Sequence, residues 1–135
     1  MKYIIVEMDK QISNNLYKIL VNYEILDFKG SFTTQEKAES SIREAPPDIA
    51  FIRIGDTELN AFKFAAMLHG VNPLSKIIFL SSSDTYAIEA FECEGEGYLM
   101  IPFDEEKIEK LMAKILKNKL LMRNELKKIV EVQRL

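Results

Sequence analysis

The sequence predicts a doubly wound α/β sheet with a single core. Three observations lead there. The runs YIIV (3–6), IAFIRI (49–54) and KIIFLS (76–81) have strand length and many β-branched residues. They are nearly continuous in hydrophobicity, as parallel strands covered on both faces are. Between them lie segments with apolar residues at helical spacing, so strands and helices alternate. At 135 residues the chain has the size of one domain.

Taken in order, YIIV is followed by Ile12, Leu16, Ile19 and Leu20, whose spacing predicts the first helix. EILDF (24–28) mixes polar and apolar residues and reads as an edge strand. TTQE (33–36) matches a capping box that opens a helix through Ala38 and Ile42. After IAFIRI, Phe62, Ala66, Met67 and Leu68 mark a third helix, which Gly70 and Pro73 end. After KIIFLS, Asp84 is placed to cap a helix carrying Ala87, Ile88 and Phe91. GYLMI (97–101) is the fifth strand, ahead of Pro102. Asp104 then caps a last helix with Ile108, Leu111, Met112 and Ile115 on one side.

No apolar run approaches the ~20 residues of a membrane span, and the start, MKYIIVEMD, turns acidic too soon for a secretory signal. The lone Cys93 has no internal partner, which fits a reducing cytoplasm. The net charge of −3 argues against non-specific nucleic-acid binding. That charge is uneven: residues 105–135 hold nine Lys/Arg against five Glu, a local +4, which leaves −7 on residues 1–104. The helical pattern also continues past the size a single domain can cover. Met112, Ile115, Met122, Leu126 and Ile129 follow three- and four-residue spacing, broken only at Lys119. We therefore expect a domain over residues 1–117 and a helical extension over 118–135, serving as a linker or an association helix with its stripe at Met122, Leu126 and Ile129.

The segment IIFLSSSDTYAIEAFECEGEGYLMIPF (77–103) is the most specific in the chain. Its YAIEAF and YLMIPF strings resemble the fourth and fifth strands of response-regulator receiver domains, above all those of LytTR-type transcription regulators. The similarity extends over residues 1 to about 117. It implies a flavodoxin-like (βα)5 parallel sheet of five strands in the order 2-1-3-4-5, with the fifth helix extended.

It also implies a site at the carboxyl ends of the strands. There, receivers hold a metal with an acidic pair, accept a phosphoryl group on an aspartate, and neutralise it with a hydroxyl and a lysine. Carried over position by position, the acidic pair becomes Glu7 and Met8. The acceptor becomes Arg53, the hydroxyl is Ser81, and the lysine becomes Ile101 before a retained, cis Pro102. Tyr98 occupies the aromatic position that in receivers changes rotamer on switching; it reads equally as an aromatic packed on the sheet edge. Three of the five chemical groups, the nucleophile included, are missing. A fixed guanidinium is neither a carboxylate nucleophile nor a ligand for a hard cation. Neighbouring strands lie ~4.8 Å apart, so Arg53 is expected to fork onto Glu7, with Asp56 a second candidate.

Other residues carry less. Asp56 is the acceptor if the third strand ends elsewhere, and Asp56 or Asp9 is the alternative acceptor in a rearranged pocket. Ser81–Ser83 suit turn chemistry, with no base nearby in sequence to activate a serine. His69 lacks metal-ligand partners at suitable spacing, and Cys93 reads as a small packing residue. The first strand leads into EMDKQIS, with no glycine for a phosphate cradle, which disfavours a flavin or nucleotide site. No metal or cofactor is expected. The reading is a phosphorylation-independent pseudo-receiver, cytoplasmic and not an enzyme, that acts by protein contacts. Its partners would be a second copy and an output domain or partner regulator, with DNA reached only through that missing domain and no membrane involved. The rivals are an active phosphoacceptor with a rearranged pocket and a stand-alone adaptor.

Overall fold

The computed structural model describes residues 1–55 and 60–134, with the side chains of 119–127 and 129–134 outside the described part. Strands and helices alternate along the chain: β1 (Lys2–Val6), α1 (Lys10–Leu20), β2 (Asp27–Phe32), α2 (Gln35–Glu44), β3 (Ile49–Arg53), α3 (Ala61–Val71), β4 (Lys76–Ser81), α4 (Ala87–Glu92), β5 (Gly97–Met100) and α5 (Glu105–Arg134). All strand pairs are parallel, in the order 2-1-3-4-5. This is the expected flavodoxin-like arrangement. The chain divides into two compact units, Met1–Phe103 with the sheet and Asp104–Leu135 with α5.

Within the first unit the sheet is buried on both faces, which explains the unbroken apolar runs. Ile4, Val6, Ala50, Ile52, Ile77 and Phe79 form one core with Ala38 and Ile42 of α2, Phe64 and Leu68 of α3 and Ala90 of α4. Side chains alternate along a strand, so Tyr3, Ile5 and Phe51 point the other way, and they are equally buried, as are Leu16 and Leu20 of α1. The Tyr3 ring packs on Phe28 and Phe51, with centroids 5.3 and 5.9 Å away.

Several local expectations move by a few residues. The edge strand is Asp27–Phe32, not 24–28. Residues 22–26 close a turn through Tyr23 N–H to Leu20 O and Leu26 N–H to Tyr23 O, so pairing with β1 starts only at Asp27 opposite Lys2. Gly30 sits inside this strand because the Phe32 ring lies over it; a Cβ there would come within 2.9 Å. The cap of α2 is Thr34, whose hydroxyl accepts from Lys37 N–H, so the box is offset by one from TTQE. In α3 the buried face is Ala61, Phe64, Ala65 and Leu68, not the row starting at Phe62. Asp104 does cap α5, accepting from Glu106 N–H. That helix runs on through Lys119 without a break, with Ile108, Met112 and Ile115 buried and Leu111 half-buried.

The largest departure is α4. Asp84 is not its cap: the helix starts after Tyr86 with no side-chain cap, and Ala87 N–H binds Asp84 O instead. Only Ala90 is buried, while Ile88 and Phe91 face outward. Six residues make less than two turns, and Ala90 alone meets the sheet. Gly95 permits that close approach, since a Cβ there would meet Ala90 O at 2.8 Å and Phe79 Cε2 at 2.9 Å.

Burial, then the nearby Tyr17, pushes the Tyr3 phenol up to about 12 from an ordinary 10.0. Its protonated form is therefore favoured by folding. The sign follows: this contribution is complete below about pH 10 and is lost as pH rises through about 12. Chemical denaturation of the wild type and Tyr3→Phe across that window should show a steeper alkaline loss for the wild type. Parallel curves would mean that Tyr3 ionises without cost.

Candidate functional site

Parallel strands bring all carboxyl ends to one edge of the sheet. Glu7 follows β1, Arg53 ends β3 and Ser81 ends β4. Backbone bonds carry the ladder past the strand ends, from Glu7 N–H to Phe32 O, Ile54 N–H to Leu80 O and Ile101 N–H to Ser81 O. This fixes the depth at which each side chain starts.

Glu7 is 2% exposed, a carboxylate in the core edge. Burial of an ionised group at this depth demands hydrogen-bonded compensation. Both oxygens have it: Arg53 Nη1 donates to Oε2 at 3.0 Å, and Asp9 N–H donates to Oε1 at 3.1 Å. The contact with Arg53 is thus a single arm, not a fork, because the Asp9 amide takes the second oxygen. Arg53 is steadied by its own Nε, which donates to Ile54 O at 3.3 Å. Its side chain is 17% exposed. Directly after this pair Gly55 takes a φ of 102°, a turn that glycine adopts without strain.

Glu7, Met8, Asp9, Ile12 and Arg53 line one open pocket of about 320 Å³. Asp9 caps α1, its Oδ1 accepting from Gln11 and Ile12 N–H. Asp56 lies outside the described residues. Ser81 is buried and its hydroxyl accepts from Ser83 N–H at 3.1 Å. Ser83 Oγ lies 2.6 Å from Thr85 Oγ1, and Ser83 O accepts from the Tyr98 hydroxyl at 2.5 Å. The serines are thus turn-forming, and they couple the loop after β4 to β5. Ile101 is half-buried, joined by a cis bond to Pro102. The side chains of Met122, Leu126 and Ile129 lie outside the described residues.

Sequence reasoning did not find the Asp9 amide on Glu7, the Gly55 turn or the Tyr98–Ser83 bond. The first has a faint signal, a helix cap two residues after a buried acid. The others have none short of three dimensions. Among the described residues no three His, Cys, Asp or Glu side chains converge as a metal site, and no helix is long and apolar enough to cross a membrane.

Sheet order and crossover pattern define a flavodoxin-like fold, the one receiver domains share. The comparisons agree on the fold: its neighbours in structure include receiver domains of response regulators, and its relatives in sequence are sensory transduction and transcriptional regulatory proteins. No family model matches. The chain is 29% identical over 119 residues to the sensory transduction protein LytT of Bacillus cereus, covering 88% of this chain and 48% of that protein. It is 28% identical over 116 residues to the transcriptional regulatory protein BtsR of Escherichia coli, covering 84% and 47%. The response regulatory domain of mrkE from Klebsiella pneumoniae superposes with a TM-score of 0.80 at 24% identity, covering 87% and 97%. The receiver domain of a modulated diguanylate cyclase from Desulfovibrio desulfuricans gives 0.74 at 26%, covering 90% and 97%. The chain spans about half the length of the curated relatives it matches.

Proposed function

We propose that this chain is a receiver domain that works without phosphorylation. It acts by protein contacts in the cytoplasm and performs no catalysis of its own. One observation carries the reading: the Arg53 guanidinium sits 3.0 Å from Glu7, the only acid retained of the metal-binding pair. The residues present do not fit a magnesium ion. Of the two acidic positions one is Met8, and both oxygens of Glu7 are already engaged by Arg53 and the Asp9 amide. A hard divalent cation needs free oxygen ligands. Phosphoryl transfer to the third strand also lacks its nucleophile, because Arg53 has no carboxylate to attack with.

The bond from Tyr98 to Ser83 supports the same reading, since it ties the β4–α4 loop to β5 with no added group. By analogy with the transcription-regulator relatives, the domain would serve an output domain or a partner regulator. DNA would be reached only through that partner. An association independent of phosphorylation would make any homodimer constitutive.

Incubation with acetyl phosphate should give no mass increase by intact-mass spectrometry. Magnesium with beryllofluoride should leave the melting temperature unchanged, whereas ligands of the folded state raise it. A stoichiometric adduct on any aspartate, Asp56 included, would overturn the proposal.

A further inference from the structure

The open pocket beside the Glu7–Arg53 pair carries polar groups that the fold does not use. Glu7, Met8, Asp9, Ile12 and Arg53 enclose about 320 Å³, the low end of the ~300–1,000 Å³ of small-molecule sites. A guanidinium has five N–H donors. Arg53 commits its Nε donor to Ile54 O and one Nη1 donor to Glu7 Oε2, and among the described residues Nη2 has no acceptor. Asp9 accepts both capping bonds on Oδ1, and among the described residues Oδ2 has no donor. Asp9 N–H and Arg53 Nη1 hold the two oxygens of the same Glu7 carboxylate, at 3.1 and 3.0 Å. The unused donor and the unused acceptor therefore start from either side of one group, within reach of one small molecule. Met8 and Ile12 are half-buried and supply an apolar wall.

The charges select the ligand. Two carboxylates against one guanidinium leave the lining at −1, so phosphate and simple carboxylates are repelled. The N–H groups of Gln11 and Ile12 at the start of α1 offer an anion nothing, because Asp9 Oδ1 already holds them. A plain amine is drawn to Asp9 but meets Arg53. A zwitterion answers both. We infer that the pocket binds a free apolar α-amino acid. Its carboxylate accepts from Arg53 Nη2, its ammonium donates to Asp9 Oδ2, and its side chain lies on Met8 and Ile12. Hydrogen bonds between ionised groups are the strong ones, and a few convergent polar groups on an apolar wall are how such sites are built. The assignment rests on the phosphorylation-independent reading, in which a bound small molecule and not a phosphoryl group occupies the strand ends.

The probes are L-leucine, L-methionine and L-phenylalanine, titrated calorimetrically into the full chain. Concentrations up to about 10 mM fill about nine-tenths of a site whose dissociation constant is ~1 mM. At least one should bind saturably, one molecule per chain, and shift the backbone amide signals of Asp9 and Arg53 in NMR spectra. The matching amine without the carboxylate, and the α-hydroxy acid without the ammonium, should each bind at least about tenfold more weakly, the size of one charge-assisted hydrogen bond. Inorganic phosphate should not compete. Asp9→Asn keeps the helix cap, since Asn caps as well as Asp; it should keep the melting temperature and lose at least about tenfold in affinity. Arg53→Lys keeps a cation beside Glu7 without the planar fork, and should lose as much. No saturable binding by any of the probes overturns the site. So does an unchanged affinity in Asp9→Asn, or phosphate binding more tightly than the amino acid. Phosphoryl uptake is read separately by the mass measurement, so the two proposals fail independently.

Discussion

Arg53→Ala is expected to lower the free energy of unfolding by about 3 kcal/mol, the order found when one partner of a buried ion pair is removed. The cause is the carboxylate left behind. Glu7 is 2% exposed, and without the guanidinium its Oε2 loses the Arg53 donor, while Oε1 keeps the Asp9 amide. Arg53→Asp should cost more, because it places a second negative charge against the first. Replacing both residues, Glu7→Met with Arg53→Met, should recover most of the loss, since a buried pair exchanged for apolar groups of similar volume is often neutral. Urea unfolding of the four proteins closes a double-mutant cycle. An unchanged midpoint for Arg53→Ala would show that the guanidinium contributes nothing to the fold.

The second large effect is a gain. Met8→Asp, Arg53→Asp and Ile101→Lys together should give stoichiometric phosphoryl uptake, where the wild type under the proposed reading gives none. The strand register is already suitable: Val6 pairs with Ile52 and Arg53 with Leu80, which brings the three positions to one edge beside Ser81. The variant supplies a second metal carboxylate, a nucleophile and a cation for the transferred charge. Arg53→Asp alone should remain unlabelled, because three anionic groups would crowd the pocket with no second metal ligand and no lysine. The readout is intact mass after acetyl phosphate with magnesium. Labelling of the single variant would show that Met8 and Ile101 are not what prevents the chemistry. A folded but unlabelled triple variant would place the obstacle elsewhere in the pocket.

Where both faces of an element are buried, its type was legible from sequence. β4 begins and ends where the apolar run KIIFLS does, because each of its residues from Ile77 to Ser81 is buried. The identity of the strand-end groups was legible too: an arginine needs no coordinates to be recognised as neither a carboxylate nucleophile nor a ligand for a hard cation. Half-buried elements were read less well. In β2 three of the six residues DFKGSF are polar and one is glycine, so the apolar pair Ile25–Leu26 just upstream looks more strand-like than the strand itself. Its start is decided by the turn at 22–26 and by pairing with Lys2, neither of which is a local property.

The sequence by itself determined the alternation of strands and helices and the identity of the groups at the strand ends, because hydrophobic period and residue chemistry are local. Tertiary structure decided how those groups are used. It set Glu7 between Arg53 and the Asp9 amide, so that the ion pair is single-armed, and it joined Tyr98 to Ser83 across 15 positions of chain. It also turned Ile88 and Phe91 outward, against their apolar character, since Ala90 meets the sheet core. Contacts between residues far apart in sequence depend on register and on packing distance, and neither is written in the order of residues alone.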